Sequence, residues 1–205
     1  MQPISIELRV AACTISRMQR NLWAPWRMAY IRDLESQATQ SKINAPADSD
    51  GNFLLAAWKN PQLDLAQHVV YRNEHGLILL NRYPYSNGHL LVALGQARAR
   101  LMDYSATQRA HLWSLVDLAA ALVDVALKPQ GMNIGVNEGR AGGAGLPQHA
   151  HAHIVARWNG DTNFMSTVAG ARVIPESLDS VAEHYKIALN EAQKRVGEQN
   201  ISGID

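Results

Sequence analysis

Cysteine is nearly absent from this chain, because Cys13 is the only one among 205 residues. A single thiol cannot form an internal disulfide or a multi-cysteine zinc site, so a reducing cytoplasm is the simplest expectation. Charged residues are also few, at 18%, and 19 basic against 18 acidic side chains leave a formal net charge of +1. We therefore expect no nucleic-acid partner, since proteins that bind duplexes carry a strongly basic surface.

Long apolar runs are missing as well. No uninterrupted run approaches the ~18 residues that cross a bilayer. Glu7, Arg9 and Arg17 interrupt the place where the core of a signal peptide would lie. The hydrophobic content of 47% is nevertheless enough for the core of one ordinary domain. These features predict an uncleaved cytoplasmic protein without a membrane partner.

The composition changes along the chain and divides it into four parts. Residues 1–17 are expected to be a disordered extension, and the dense aromatic pattern begins only at Met18, which raises the hypothesis that Met18 is the true start. Residues 18–52 are predicted to wrap over a core and to end in a polar, turn-rich loop. Residues 53–165 are expected to form the main domain, and residues 166–205 a helical extension.

Short apolar runs bounded by turn residues predict five strands, at residues 67–73, 76–83, 88–94, 132–137 and 149–158. The short turns between the first three favour antiparallel pairing in sequence order. Ser105 or Asp103 is predicted to cap a long helix in which apolar residues recur at helical spacing and which ends before Pro129. A final helix is expected around 176–195. The combination predicts an α+β fold with an antiparallel sheet and helices on one of its faces.

Three histidines alternate with alanine at positions 149, 151 and 153. Successive side chains of a strand point to opposite faces, so the pattern predicts that His149, His151 and His153 project to one side, about 7 Å apart. The small alanines between them predict that the opposite face is tightly covered by the long helix.

Three interpretations of this histidine row compete. Buried structural histidines would need a partner for every ring nitrogen. A zinc site would need a further ligand with its own supporting residues, and no companion motif in the sequence indicates one. Phosphoryl chemistry needs an imidazole that attacks phosphorus near neutral pH and neighbours that bind phosphate oxygens, and histidine supplies both.

A glycine-rich loop at residues 139–147 lies directly before the row and favours the third interpretation. Glycines allow backbone N–H groups to approach an anion closely. The loop is not a P-loop, because no Gly-Lys-Ser/Thr follows, and it is not a dinucleotide fingerprint, because the next element is a strand.

Several segments resemble one known family. HAHAHIV at 149–155 is similar to the motif of the histidine triad family, and LLNRYPYSNGHLLV at 79–92 resembles the family's nucleotide-binding strand–turn–strand. WAPWRMAYI at 23–31 and RWNGDTNFM at 157–165 are similar to a bacterial branch of diadenosine tetraphosphate phosphorylases or hydrolases. The resemblance implies that 53–165 is a catalytic domain with a five-stranded antiparallel sheet, that the protein is a homodimer, and that dinucleoside polyphosphates are cleaved through a nucleotidyl-histidine.

The resemblance also implies roles for individual residues. His151 would attack the α-phosphorus, while His149 and His153 would hold the phosphate oxygens and keep His151 in its reactive tautomer. Asn81 would bind the ribose, although on its own pattern it is a strand-end turn residue, and His89 would support the site. The remaining predicted contacts to the phosphate path are Asn137, Gly145, Leu146 and Gln148.

The implied reaction needs no cofactor, and magnesium is expected only with the polyphosphate. Inorganic phosphate or water would accept the nucleotidyl group. Three alternatives stay open: a nucleoside phosphoramidase or other nucleoside phosphate hydrolase of the same family, a nucleotide-binding protein without turnover, and an enzyme that uses the three histidines as metal ligands.

The chain departs from the family pattern in three places. Gly145 stands where many relatives have Ser, Thr or Gln, the Cys-x-x-Cys of related proteins is absent near residues 44–54, and Ala156 replaces a proline. Outside the motifs, Trp158 is predicted to pack rather than to stack on adenine. The four remaining histidines are predicted at the surface, namely His68, His75, His111 and His184.

Overall fold

The computed structural model describes residues 51–161 and 174–202, with side chains of the last helix described as far as residue 197. The predicted extension at 1–17 and nearly all of the predicted wrapping segment lie outside these ranges, as does the predicted boundary after residue 165. Those three predictions therefore stay predictions.

Five strands form one antiparallel sheet in the order β1-β2-β3-β5-β4. Their bounds are Val69–Arg72 (β1), Gly76–Leu80 (β2), Leu90–Leu94 (β3), Gly131–Val136 (β4) and His151–Arg157 (β5). All five predicted strands are present, and most are shorter at their ends than predicted. The predicted tight turn between β1 and β2 is also present, since Asn73 Oδ1 accepts hydrogen bonds from the backbone N–H groups of His75 and Gly76.

Within the described ranges, three α-helices accompany the sheet: Phe53–Lys59 (α1), Ala106–Leu127 (α2) and Leu178–Ser202 (α3). Ser105 caps α2 in a reciprocal box with Gln108, and Lys128 ends it in the left-handed conformation. The predicted helix that ends before Pro129 is therefore present, with Ser105 and not Asp103 as its cap. The final helix is longer than predicted. The sequence did not predict α1, a helix of only seven residues.

The main core lies between one face of the sheet and the helices α2 and α3. On β5 this face carries Ala152, Ile154 and Ala156, which are fully buried. The prediction that the alanines face a covering helix is therefore confirmed. By length and composition α2 could also cross a bilayer. Its side chains Leu112 and Leu122 are fully buried in the core, which is the behaviour of a core helix.

A second, smaller apolar cluster lies on the opposite face of the sheet. There α1 packs over side chains of the first three strands. Helices therefore pack on both faces, and the prediction of one helical face is wrong in this respect. Strand β4 forms the edge of the sheet and carries exposed residues such as Ile134. Among the described residues, α1 does not cover the half of this face that β5 and β4 form.

Candidate active site

His149 lies just before β5, not on it, because the strand begins at His151. The ring is fully buried, with Nε2 donating to the Leu94 carbonyl at 2.9 Å and Nδ1 3.2 Å from Oδ1 of Asn52. Asn52 Oδ1 also accepts from the backbone N–H of Leu55 and so caps α1. Burial lowers the pKa of His149. Because both ring nitrogens face protein atoms, this placement favours a positioning role over direct contact with phosphate.

His151 is the first residue of β5 and is only 4% exposed. Its Nδ1 lies 2.7 Å from the carbonyl oxygen of His149. A carbonyl can only accept, so Nδ1 carries the proton and Nε2 of the neutral ring carries a lone pair. Burial lowers the pKa of His151 although the bond to the carbonyl opposes this shift, so the neutral ring is favoured. His151 thus has the tautomer and protonation state of a nitrogen nucleophile.

A chain of hydrogen bonds determines the tautomer of His153. The backbone N–H of Tyr85 donates to Nδ1 of His89 at 3.1 Å, and Asn81 Nδ2 lies 3.2 Å from the same atom. His89 Nδ1 is therefore an acceptor, and its Nε2–H donates to Nδ1 of His153 at 3.0 Å. The proton of His153 must then lie on Nε2. The backbone of the β2–β3 turn thus selects which nitrogen of His153 can donate.

The rings around His153 form a compact polar group. The centroids of His151 and His153 are 4.9 Å apart, and the Tyr85 ring is nearly parallel to that of His153 at 5.7 Å. Burial, with a smaller contribution from His151, lowers the pKa of His153 to about 4. His153 is therefore neutral at physiological pH and presents Nε2–H as a hydrogen-bond donor.

A cavity of about 400 Å³ opens beside His153, on the half of the sheet that α1 leaves uncovered. Its walls include Asn133 from β4, Asn137 directly after β4, and Val155 from β5. Asn137 and His153 both line this cavity, and Nδ2 of Asn137 lies 3.5 Å from Nε2 of His153, so two N–H donors lie side by side at this end. Gly135 pairs with His153 across the two strands and adds no side chain to the cavity.

The far end of the cavity is formed by an ion pair that follows β5. Arg157 Nε and Nη2 donate to the two carboxylate oxygens of Asp161 at 2.5 and 2.9 Å, and Nη1 donates to Asn133 Oδ1 at 2.9 Å. The hydrogen bonds to Asp161 raise the pKa of Arg157 further, so this guanidinium is always charged. The cavity therefore has neutral donors at one end and a paired cation and anion at the other.

Asn81 lies at the end of β2, where its Oδ1 accepts from the backbone N–H of Tyr83 at 2.9 Å. Its side chain thus makes the turn contact that its own pattern suggests, and its amide nitrogen reaches His89. Asn81 is therefore in contact with the histidine chain, while its predicted contact with ribose stays a prediction. His89 is fully buried and lies 3.0 Å from His153 through its Nε2, while its predicted role in the site stays a prediction.

The glycine-rich loop has a defined shape before the row. A side chain at Gly142 would lie 2.3 Å from the carbonyl oxygen of Glu138, and Gly143 adopts a φ of +85°, so other residues are disfavoured at both positions. Of the predicted contacts, Gly145 and Gln148 are exposed, whereas the Leu146 side chain is buried against the α1 cluster. Leu146 can therefore reach a phosphate only through its backbone.

The remaining predictions concern residues away from the site. Trp158 packs against the main core, as predicted. His68 is partly buried and lies 2.9 Å from Asp179 of α3, and the rings of His75 and His111 stack at 3.5 Å. His68, His75 and His111 are thus partly buried, and His184 alone of the four is exposed.

Sequence reasoning missed several residues of the site. Asn52 stands directly before an apolar stretch, which is a helix-capping signal that could have been read. The hydrogen bond that the backbone N–H of Tyr85 donates to His89 cannot be predicted from the residue type at position 85. Arg157 and Asp161 are four residues apart in a segment whose only predicted feature was its resemblance to the family. Their ion pair forms because the chain turns after β5.

The chain is similar to known proteins over most of its length. A family model described as the HIT domain matches residues 62–160. The chain is 33% identical to the AP-4-A phosphorylase of Mycobacterium tuberculosis over 163 residues, which is 79% of this chain and 80% of that protein.

Solved structures give the same fold. A hypothetical histidine triad nucleotide-binding protein from Sulfolobus tokodaii matches with a TM-score of 0.58 at 23% identity, covering 70% of this chain and 95% of that one. A zinc-bound histidine triad family protein from Mycobacterium smegmatis matches with a TM-score of 0.57 at 24% identity, covering 71% and 97%. At these identities the likeness shows the fold alone, and it confirms the predicted fold class.

Proposed function

The chain belongs to the histidine triad family, and from this premise we propose that it cleaves dinucleoside polyphosphates of the diadenosine tetraphosphate type through a nucleotide bonded to His151. The similarity to the mycobacterial AP-4-A phosphorylase supports this substrate class. The observation that carries the proposal is the 2.7 Å contact from His151 Nδ1 to the His149 carbonyl. It leaves Nε2 as an unprotonated nitrogen on a buried ring.

In the first step, Nε2 of His151 attacks the α-phosphorus. A nitrogen–phosphorus bond forms, the bond from phosphorus to the bridging oxygen breaks, and a nucleoside triphosphate leaves with both electrons of that bond. Covalent catalysis of this kind divides one difficult displacement into two easier ones. Nε2–H of His153 donates a hydrogen bond to the departing oxygen, on which negative charge develops.

In the second step, an oxygen of inorganic phosphate or water attacks the same phosphorus, and the bond to His151 breaks with its electron pair returning to Nε2. When water attacks, its proton is released to the solvent. Phosphate yields a nucleoside diphosphate, whereas water yields a monophosphate. Magnesium can accompany the polyphosphate without any protein ligand. The residues of this chain bind, orient and polarise the substrate.

The products distinguish the two acceptors. Purified protein is incubated with diadenosine tetraphosphate, with and without inorganic phosphate, and the nucleotides are separated by chromatography. ATP and ADP formed only with phosphate mean phosphorolysis, while ATP and AMP in both tubes mean hydrolysis. If neither tube contains a product while the protein still binds the nucleotide, the enzymatic proposal is wrong and a binding function takes its place.

The homodimer and the cytoplasmic location belong to the same proposal. The exposed edge strand β4 supports a dimer, because its outer backbone groups can pair with a second copy. Analytical ultracentrifugation of the purified protein tests this directly, and a monomer at micromolar concentration would contradict it.

A further inference from the structure

The cavity between His153 and Arg157 extends well beyond the reacting nitrogen. We infer that it binds the nucleotide half that leaves in the first step, with phosphates near His153 and the ribose near Asp161. This inference rests on the proposed function and assigns a binding task to Asn133, Arg157 and Asp161.

The position of the cavity relative to the two histidines indicates the leaving side. An in-line displacement places the attacking nitrogen and the leaving oxygen on opposite sides of phosphorus. The cavity is lined by His153, the hydrogen-bond donor, and His151 is not among its lining residues. Atoms that follow the departing oxygen therefore extend past His153 and into the cavity.

The dimensions fit such an occupant. His153 and Arg157 are four residues apart on one strand, which separates them by about 13 Å. A short chain of bridged phosphates that ends in a ribose covers a similar length. The volume of about 400 Å³ falls within the ~300–1,000 Å³ that is usual for small-molecule sites.

The charges differ along this length in a way that separates phosphate from sugar. Near His153, the amide of Asn137 and Nε2–H can donate to phosphate oxygens. At the far end, Arg157 and Asp161 form an ion pair without net charge, which suits a neutral ribose better than a phosphate, and acidic residues also lie beside the ribose in dinucleotide sites.

The far end is also rigid before any ligand arrives. Asp161 holds Arg157 through two hydrogen bonds and accepts from the backbone N–H of Trp158 at 3.2 Å. Three of the five guanidinium N–H groups are used by Asp161 and Asn133, so two remain for a ligand among the contacts of the described residues. Such pre-ordering lowers the entropy cost of binding.

Two substrates that share the transferred AMP but differ in the leaving group test this inference. One is diadenosine tetraphosphate, and the other is the p-nitrophenyl ester of AMP, whose leaving group lacks phosphates and ribose. The variants are Asn133→Ala and Arg157→Gln. We expect kcat/KM to fall about tenfold or more for the tetraphosphate and less than about twofold for the ester.

The control and a second readout separate binding from folding. Arg195→Gln removes an arginine that pairs with Asp124 and Glu191, outside the cavity. This variant should leave kcat/KM unchanged for both substrates. Asn133→Ala removes one exposed amide, so it tests the inference even if Arg157→Gln fails to fold. In this variant, product inhibition by ATP should weaken by the same factor as kcat/KM.

Equal losses on both substrates would place the transferred half in the cavity and overturn the inference, as would unchanged kinetics with the tetraphosphate. Failure of the proposed function looks different, because the wild-type protein itself would then not cleave the tetraphosphate, whether or not it cleaves the ester. The inference would fall with it in that case.

Discussion

The two faces of strand β5 are both buried, yet they bury different kinds of atoms. Ala152 and Ile154 lie against α2 with no polar atom to satisfy, whereas on the other face His151 and His153 each have a ring nitrogen paired with a partner. Burial on the first face stabilises the fold. On the second face it lowers the pKa of each imidazole while its hydrogen bonds select the tautomer. One face of β5 thus serves stability, and the other serves reactivity.

The largest expected effect is on the reactive face. We predict that His151→Ala lowers kcat by more than about 10³-fold, because loss of a covalent nucleophile removes the whole two-step route. The unfolding midpoint should change little, and steady-state kinetics with diadenosine tetraphosphate measures the loss. A variant that keeps a tenth of wild-type activity would place the chemistry elsewhere.

The next effect tests the chain that orients His153. We predict that His89→Leu lowers kcat by about 10²-fold, because Nδ1 of His153 loses the donor that keeps its proton on Nε2. His89→Gln should recover part of the rate if its amide reaches the same nitrogen.

A purely structural role for His89 would be revealed by ¹⁵N spectra of the histidine rings. In His89→Leu we expect the tautomer signals of His153 to change while those of His151 stay as in the wild type. Unchanged signals for His153 would contradict the proposed chain of hydrogen bonds.

The opposite face of β5 should respond in the opposite way. We predict that Ala152→Leu lowers the free energy of unfolding by about 1–3 kcal/mol, since the added atoms must enter a filled core under α2. The kcat of the folded fraction should stay near the wild-type value. Urea unfolding and active-site titration measure the two quantities, and a large loss of kcat at unchanged stability would remove the distinction between the faces.

The buried imidazole of His153 also predicts how stability depends on pH. Its folded-state pKa of about 4 lies below the unfolded value of 6.5, so the unfolded chain binds the proton more readily between these limits. Stability is then complete above pH 6.5 and decreases as the pH falls toward 4. At pH 5 the loss from this group is about 2 kcal/mol.

Urea unfolding at pH 7 and pH 5 measures this contribution of His153 to the free energy of unfolding. In His153→Gln the difference between the two pH values should be smaller by about that amount. An identical pH dependence in the wild type and the variant would show that His153 is not the group responsible.

The sequence predicted the elements whose pattern is long and local. The strands and α2 follow from apolar spacing and from the capping signal at Ser105, and the histidine spacing placed His151 and His153 on the same face of β5. The predicted start of β5 was wrong by two residues, because the alternation of histidine and alanine cannot show where pairing with the neighbouring strands begins. His149 therefore had to be located by the structure.

What the sequence did not predict depends on contacts between distant segments. Asn52 meets His149 across 97 residues, and the backbone N–H of Tyr85 acts on His153 only through His89. Seven residues are too few for their pattern to separate α1 from a loop. The cavity follows from the side-by-side placement of β4, β5 and the β2–β3 turn.

The most direct test of the account is whether phosphorus becomes bonded to His151. Wild-type protein and His151→Ala are mixed with diadenosine tetraphosphate, quenched in alkali, where a phosphorus–nitrogen bond survives, and digested for mass spectrometry. We expect one adenylyl group on the peptide that contains His151, on the imidazole itself, and none in the variant. An adduct on another residue, or turnover in the wild type with no adduct at any quench time, would contradict it.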